Sequence, residues 1–185
     1  MNYEMKKLIF LLFFAMTFLF CKSQDKTLQP VKEPDFFYQP AFLDSNNVQH
    51  DLAYDKVKTL TFEQVFKTSL YLIIDSVNAP FRIIENKQIK IIIKCNPLAI
   101  NGNIKNYFRL YQLTVNDKEK NRRFLVSSNK SFGKSVFNYN LGLPINFTKV
   151  TDSTYILTFE NLEKGEYAII VTGNGSTTVY SFSVI

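Results

Sequence analysis

The sequence predicts an all-β fold, an immunoglobulin-like antiparallel β-sandwich over residues 68–185. The first observation is a series of short runs rich in β-branched and aromatic residues from Leu70 to the C-terminus, which are typical of strands. Turn residues separate these runs, and no helical pattern longer than a turn or two interrupts them. About eight or nine strands at this spacing indicate a sandwich or a barrel. The predicted strands are Leu70–Asp75, Phe81–Glu85, Gln88–Cys95, Tyr107–Val115, Arg123–Ser128, Pro144–Val150, the alternating Tyr155, Leu157 and Phe159, Tyr167–Thr172 and Thr178–Val184.

The second observation is the alternation within Gln88–Cys95. Isoleucines at every second position and Cys95 share one face, while Lys90 and Lys94 lie on the other. Successive side chains of a strand point to opposite faces, so the isoleucine face is predicted to be buried. Cys95 is predicted to be a buried small hydrophobic residue rather than a reactive thiol. If Cys21 is removed or lipidated, Cys95 has no disulfide partner.

The third observation is a corner motif before the penultimate strand. Leu162, Gly165 and Tyr167 form the pattern Leu-x-x-Gly-x-Tyr. In immunoglobulin-like sandwiches, a tyrosine near the start of strand F hydrogen-bonds the backbone just upstream. The pattern predicts such a structural tyrosine corner, with Gly165 supplying a positive φ at the turn. Tyr167 is therefore interpreted as structural rather than catalytic.

The N-terminus predicts export. Lys6 and Lys7 precede the apolar run Leu8–Phe20, and Cys21–Gln24 forms a polar exit. This arrangement is typical of a secretory signal peptide, here residues 1–23. The apolar run is too short for the roughly twenty residues that a membrane-spanning helix needs. Two processing routes stay open, namely cleavage after Ser23, or lipidation of Cys21 in a lipobox-like context that the bulky preceding phenylalanine weakens.

Residues 24–67 are predicted to form an extended leader. Pro30, Pro34 and Pro40 exclude regular helix from its first part and favour extended backbone. The stretch His50–Phe66 is undecided between a short helix and an edge strand, because its periodicity fits both. Apolar islands in the leader are predicted to dock on the domain or on a partner, through Phe36, Phe37, Tyr38 and Phe42.

The charge excludes one class of partner. The whole chain carries a net charge of +6, and removal of the signal lowers it. Such a mild excess without a clustered face does not predict nucleic-acid binding. The densest positive cluster is Lys118, Lys120, Arg122 and Arg123, which either meets anionic lipids or acidic glycans or is simply a soluble hairpin tip. The soluble tip is the favoured interpretation.

No catalytic, cofactor or metal motif is present in the sequence. The single histidine, His50, lies far in sequence from any glycine-framed serine, and no Gly-x-Ser-x-Gly elbow exists. His50 and Cys95 cannot supply a zinc site. A calcium site is conceivable around three acids whose spacing matches no loop pattern, Asp44, Asp51 and Asp55. Paired acids for glycan hydrolysis come from distant strands, so three acids stay open for that role: Glu63, Asp75 and Glu160.

Several segments together resemble a family of secreted Bacteroidetes proteins of unknown activity that end in a β-sandwich. The resemblance covers roughly residues 68–185, and similar chains usually have proline where Lys164 stands. It implies a fold and an exported location, and it carries over no catalytic residue. The matching pieces are Arg82, Gln88–Lys94, Phe108–Leu113, Lys118–Arg123, Ser153–Leu157, Leu162–Tyr167 and Val179–Val184.

Two tripeptides are similar to the O-glycosylation acceptor pattern of Bacteroidetes envelope proteins. They are Asp75-Ser-Val and Asp152-Ser-Thr, which make Ser76 and Ser153 candidate acceptors. Patterns this short also recur by chance.

The leading functional hypothesis is a non-enzymatic envelope module without a cofactor. It binds a protein or glycan partner, or it is a subunit of an envelope assembly. The predicted location is periplasmic or extracellular, with outer-membrane attachment if Cys21 is lipidated. The alternative is a secreted glycan hydrolase that uses acids.

Overall fold

Residues with alternating or continuous apolar patterns form most of the strands in the part of the chain that the structure describes. The computed structural model describes residues 30–84, 87–98, 103–130, 136–137, 142–173 and 176–185, and Val31–Ile185 forms one unit. A short 3-10 helix, Ile104–Asn106, precedes the eighth strand. The strands are β1 (Ala41–Leu43), β2 (Gln49–Asp51), β3 (Tyr54–Asp55), β4 (Val57–Gln64), β5 (Lys67–Asp75), β6 (Phe81–Ile83), β7 (Gln88–Lys94), β8 (Phe108–Asn116), β9 (Asn121–Lys130), β10 (Val136–Phe137), β11 (Asn146–Lys149), β12 (Thr154–Glu160), β13 (Gly165–Gly173) and β14 (Ser176–Val184).

The strands form two sheets whose order confirms the predicted sandwich. The first sheet has the order β11-β12-β7-β1-β2, and the second has the order β3-β14-β13-β8-β9-β5-β4. In the first sheet, β11-β12-β7-β1 corresponds to strands D-E-B-A of an immunoglobulin-like sandwich. In the second sheet, β14-β13-β8-β9 corresponds to strands G-F-C-C′. The short β6 pairs in parallel with β14, while β10 pairs with β9. The remaining strand pairs are antiparallel.

The main core lies between the two sheets. The isoleucine face of β7 is fully buried there, together with Cys95, as the alternation predicts. The rings of Tyr167 and Phe182 stack with their centroids 5.5 Å apart. Each such large apolar side chain stabilises the fold by about 1.5–3 kcal/mol relative to exposure. The core also contains Leu52, Ile83, Phe108, Leu110, Leu157, Phe159, Ile169, Val171, Tyr180 and Val184.

A second core lies on the opposite face of the second sheet. The strand β9 pairs with β8 only at its first residues, as in Thr114 with Arg123. Beyond that point β9 and β5 pack over the back of the sheet, and the ring of Phe124 stacks on Tyr111 at 4.2 Å. Consequently β13 and β14 are buried on both faces. The other members of this core are Ile74, Leu113, Ala168, Ile170 and Val179.

The predicted boundary at residue 68 is wrong. The folded unit begins at Val31, and β1 is an integral strand that pairs with β7 over Ala41–Leu43. Of the predicted leader, 24–67, the part from Val31 onward therefore belongs to the sandwich, and residues 24–29 lie outside the described residues. For His50–Phe66 the edge-strand alternative is confirmed and the helix alternative is wrong, because β4 is the outer strand of the second sheet. The signal peptide 1–23, including Cys21, also lies outside the described residues.

The corner before β13 has the bond that defines a tyrosine corner. The hydroxyl of Tyr167 donates to the carbonyl of Glu163 at 2.7 Å, and Leu162 packs against the main core. Gly165 has a φ of 159°, which is nearly extended, so it does not supply the left-handed turn expected of it. Asn161 has that conformation, with a φ of 52°. A Cβ on Gly165 would approach Gln112 Nε2 to 3.2 Å, which a small shift of that exposed side chain would relieve.

Candidate functional site

The candidate functional site is the hairpin of β4 and β5, Val57–Asp75, which we call the insert hairpin. It lies in sequence between β1 and β6, where an immunoglobulin-like order needs only the short passage from strand A to strand A′. The hairpin extends the second sheet beyond β9. It is therefore an addition to the sandwich rather than part of its framework.

The two faces of the insert hairpin differ. Ile74 and Leu72 on β5 face the second core, which holds the hairpin on the sandwich. On the opposite face, Tyr71 is opposite both Leu60 on β4 and Leu125 on β9. The Phe62 ring meets Tyr71 edge-on at 5.6 Å. This outward side is partly exposed, so the hairpin presents an apolar surface to its surroundings.

The turn of the insert hairpin is also apolar. Val65 and Phe66 connect the strands and are 86% and 63% exposed. Two-residue turns usually use asparagine or glycine with a positive φ, whereas neither Val65 nor Phe66 has one. Turn chemistry therefore gives no reason for these residue types at the tip. Their exposure is a feature of a contact surface.

A buried charge cluster binds the residues on either side of the insert hairpin to the sandwich. Arg122 on β9 is only 1% exposed. Its Nη1 lies 3.2 Å from Glu166 Oε2 and donates to Ser181 Oγ at 2.7 Å. Its Nη2 lies 3.6 Å from Asp55 Oδ1, and its Nε donates to the Ser76 carbonyl at 3.1 Å. A buried arginine needs such partners, because removal from water is costly.

Glu166 extends this cluster to the segment that leaves β5. Its Oε2 accepts the backbone N–H of Ala79 at 2.8 Å, and its Oε1 accepts the hydroxyl of Ser183. The cluster thus joins the residues before and after the insert hairpin to β13 and β14. The predicted positive cluster at 118–123 is accordingly not one surface patch, because Arg122 is buried and Arg123 lies over the Tyr71 ring at 5.3 Å.

A shallow groove of about 200 Å³ lies elsewhere, beside β8. Lys105 and Arg109 contribute cations to it. The Arg109 Nη1 is engaged by the carbonyls of Lys105 and Phe108, the latter at 2.9 Å. Because Nη1 of the guanidinium already donates within the chain, the groove is a weaker binding candidate than the hairpin. Its other lining residues are Gly142, Leu143, Ile145 and Phe147.

The four aromatic residues predicted to dock a partner separate into two pairs. Tyr38 and Phe42 are partly buried and pack against the main core. Phe36 and Phe37 are 66% and 51% exposed. Lys94 Nζ lies 5.2 Å from the centre of the Phe37 ring. Only the second pair offers a surface for a partner.

Glu33 anchors the segment that carries these aromatic residues. Its Oε1 accepts the hydroxyls of Ser153 at 2.6 Å and Thr154 at 2.7 Å. Its Oε2 lies 3.4 Å from Lys94 Nζ. These bonds, led by those from Ser153 and Thr154, lower the pKa of Glu33 to about 2. The carboxylate therefore stays ionised well below its usual range and fixes the segment on β12.

The two candidate O-glycosylation sites both lie at bends. The Ser153 hydroxyl is engaged with Glu33, so a glycan there would displace that bond. Ser76 is exposed, has a φ of 82° and donates its hydroxyl to the Asn78 carbonyl at 3.1 Å. Its own carbonyl accepts from Arg122. Ser76 is therefore the more accessible of the two candidates.

The three acids considered for hydrolysis do not converge. Glu63 is opposite Thr68, seven residues along β5 from Asp75. At about 3.3 Å per residue this separation is roughly 23 Å, well beyond the roughly 10 Å that a glycosidase pair allows. Asp75 pairs with Lys58 at 2.7 Å. Glu160 lies on the other sheet and accepts from Asn146 at 3.4 Å.

Most residues considered for metal binding or nucleophilic chemistry are engaged or buried, whereas Asp51 is exposed on β2. Asp44 accepts the backbone N–H of Val48 at 2.9 Å, and this bond is the main cause of its lowered pKa. Asp44 Oδ2 also lies 3.3 Å from His50 Nε2, whereas Asp55 faces Arg122. In the part of the chain that the structure describes, no group of three potential ligands lies together. Burial raises the pKa of the Cys95 thiol to about 12.

Sequence reasoning missed Arg122 and Glu166 as partners. One signal was present in the sequence. β13 has a continuous apolar run, Tyr167–Val171, which is typical of a strand buried on both faces. Glu166 directly precedes that run, and β14 alternates Ser181 and Ser183 with apolar residues. A charged residue at the start of such a strand requires a buried partner of opposite charge.

Comparisons with protein-family models, with curated proteins and with solved structures found no match to this chain. Among the described residues, no helix is long and apolar enough to cross a membrane.

Proposed function

We propose that this chain is an exported, non-enzymatic envelope module that binds a protein partner through the insert hairpin. One observation carries this proposal, the exposure of every residue of β4. The strand displays Leu60 and Phe62, and the tip adds Val65 and Phe66. A sandwich does not need this hairpin for its framework, and large exposed apolar groups in one place are typical of interaction surfaces.

The chemistry of the surface favours a protein over a glycan. A strand at a sheet edge offers a row of backbone donors and acceptors, which an added strand satisfies. Apolar side chains next to that row provide pockets or contacts for alternate side chains of the partner. A polar glycan would gain little from Leu60 and Val65, whereas burial of such groups drives protein association.

Site-specific photo-crosslinking in the producing cell tests this proposal. A photoreactive phenylalanine analogue replaces Phe62 in one variant and Phe36 in the matched control, since both side chains are exposed. We expect one dominant, stoichiometric adduct in the envelope fraction from position 62. An adduct from position 36 alone would assign binding to the N-terminal aromatic residues and overturn the proposal. Binding to a glycan array with no protein adduct would also overturn it.

The proposed location is tested separately. Cell fractionation is expected to find the chain in the envelope or the medium. The intact mass of the purified chain then distinguishes cleavage after Ser23 from lipidation at Cys21. A chain found in the cytosol with its first residues intact would contradict export.

A further inference from the structure

The outer strand β4 differs from the strands that end the sheets elsewhere. The other outer strands are β11, β2 and β3, which have four, three and two residues. In contrast, β4 has eight residues, all exposed. Natural sheets protect their edges with very short outer strands, prolines, bulges or charges. The three short strands follow that rule and β4 does not.

Proline and bulges are missing along β4, and its two charges are Lys58 and Glu63. It contains no proline, and its pairing with β5 is continuous from Val57 to Gln64. The only register shift in the hairpin's neighbourhood lies between β5 and β9, at Leu70 and Tyr71. Lys58 is neutralised by Asp75 of the same chain, with 2.7 Å between Nζ and Oδ2. Among the described residues, no strand pairs with the outer edge of β4.

The sequence of β4 is complementary to itself when two copies run antiparallel. A two-fold axis perpendicular to the sheet keeps each face continuous, so residues of like parity lie opposite each other. An axis through Thr61 places Leu60 opposite Phe62 of the second copy, and this pair occurs twice. The same register places Lys58 opposite Gln64 and Glu63 opposite Thr59. No like charges meet, and the apolar surface around Tyr71 continues across the axis.

The neighbouring register is less favourable. An axis through Leu60 would pair Leu60 only with its own copy and would place Val57 opposite Glu63 and Lys58 opposite Phe62, so that two of the three apolar side chains face a charged one. The match of apolar with apolar residues therefore selects Thr61 as the centre. It also favours a second copy over an unrelated strand, because a strand of arbitrary sequence would have no reason to match.

We propose that β4 pairs antiparallel with β4 of a second copy about a two-fold axis at Thr61. The second sheet of one copy then continues into the second sheet of the other. This inference rests on the proposed function and names the partner of the same surface. The dimer pairs the exposed backbone groups of β4 and covers Leu60 and Phe62. The hairpin tip, Val65–Phe66, lies at the end of the paired segment, beside the first residues of β4 in the second copy.

A cysteine at the axis tests the register. The chain is expressed from its complete reading frame and purified from the envelope fraction. In Thr61→Cys the two thiols would be directly opposite, and mild oxidation is expected to give a disulfide-linked dimer. Thr59→Cys is the matched control, since its two copies would lie four residues apart, roughly 13 Å. Equal or faster cross-linking of Thr59→Cys would overturn the register.

Analytical ultracentrifugation tests the association itself. The wild-type chain is expected to sediment as a dimer at tens of micromolar, and Thr61→Lys as a monomer, because it places two lysines opposite each other. Thr148→Lys on β11 is the control and should remain dimeric. A wild-type monomer would overturn this inference. If position 62 then still captures a different envelope protein, the proposed function stands without the dimer.

Discussion

The second sheet contains two regions built from strands of similar length but with opposite surroundings. β13 and β14 are buried on both faces, and β13 has a continuous apolar run, Tyr167–Val171. β4 alternates threonine with apolar residues only at its centre, Thr59–Phe62, and is exposed along its whole length. β13 and β14 contribute side chains to both cores, whereas β4 contributes little to either. The comparison indicates that β13 and β14 supply stability, whereas β4 tolerates substitution because it lies outside both cores.

The largest expected difference in stability between the two regions comes from truncating one phenylalanine in each. Phe182 is buried between two other rings, at 5.5 Å and 6.4 Å, so Phe182→Ala is expected to lower the free energy of unfolding by about 3–5 kcal/mol. Phe62→Ala on β4 should cost less than about 1 kcal/mol. Urea unfolding of both variants at low protein concentration checks this. Equal losses would show that the hairpin is part of the stabilising core.

The second prediction concerns the junction between the two regions. Arg122→Met leaves Glu166 and Asp55 buried without their cation, so it is expected to lower the free energy of unfolding by about 3–5 kcal/mol. Adding Glu166→Gln should recover part of that loss. Lys118→Met in the exposed turn before β9 is the control. Thermal and urea unfolding measure all three, and a loss no greater than that of the control would contradict a structural role for the cluster.

The third prediction tests the corner at the start of β13. Tyr167→Phe removes the hydroxyl that donates to the Glu163 carbonyl and keeps the ring in the core. The expected loss is about 0.5–1.5 kcal/mol, the value of one hydrogen bond. Tyr54→Phe on exposed β3 is the matched control and should be neutral. Equal urea midpoints for both variants would argue against a stabilising corner.

The smallest effect concerns Glu33 and depends on pH. Its pKa falls from 4.5 to about 2 on folding, so its ionised form stabilises the fold fully above about pH 4.5. That contribution decreases as pH falls through the range between the two values, because the unfolded chain binds the proton more tightly. The stability difference between wild type and Glu33→Gln should therefore be present near pH 7 and vanish near pH 2. Parallel pH profiles for the two proteins would contradict this, and Glu119→Gln serves as the control.

The sandwich was predictable because its strands carry strong local signals. The isoleucine face of β7 has a period of two, and the Leu-x-x-Gly-x-Tyr pattern marks the corner at Tyr167. The role of β1 was not predictable, since a strand of three residues has no periodicity, and its partner β7 lies about fifty residues away in sequence. Pairing over that distance depends on the whole fold.

The candidate site was predictable only in outline. The ambiguous stretch His50–Phe66 allowed an edge strand, but nothing local placed it beyond β9. Arg122 lies in a run of basic residues that indicated a soluble tip. Only the tertiary structure shows that its side chain is buried and contacts Glu166. A single sequence does not distinguish a surface arginine from a buried one, because the partners come from other strands.

By itself, the sequence determined the all-β class, the sandwich and the tyrosine corner, because these depend on alternation and turn residues within a few positions of each other. Only the tertiary structure decided where the folded unit begins, which face of the second sheet the insert hairpin covers, and which strand is left at an edge. Those features depend on contacts between residues far apart in the chain. Such contacts are set by the combined burial of several strands, which no short segment encodes.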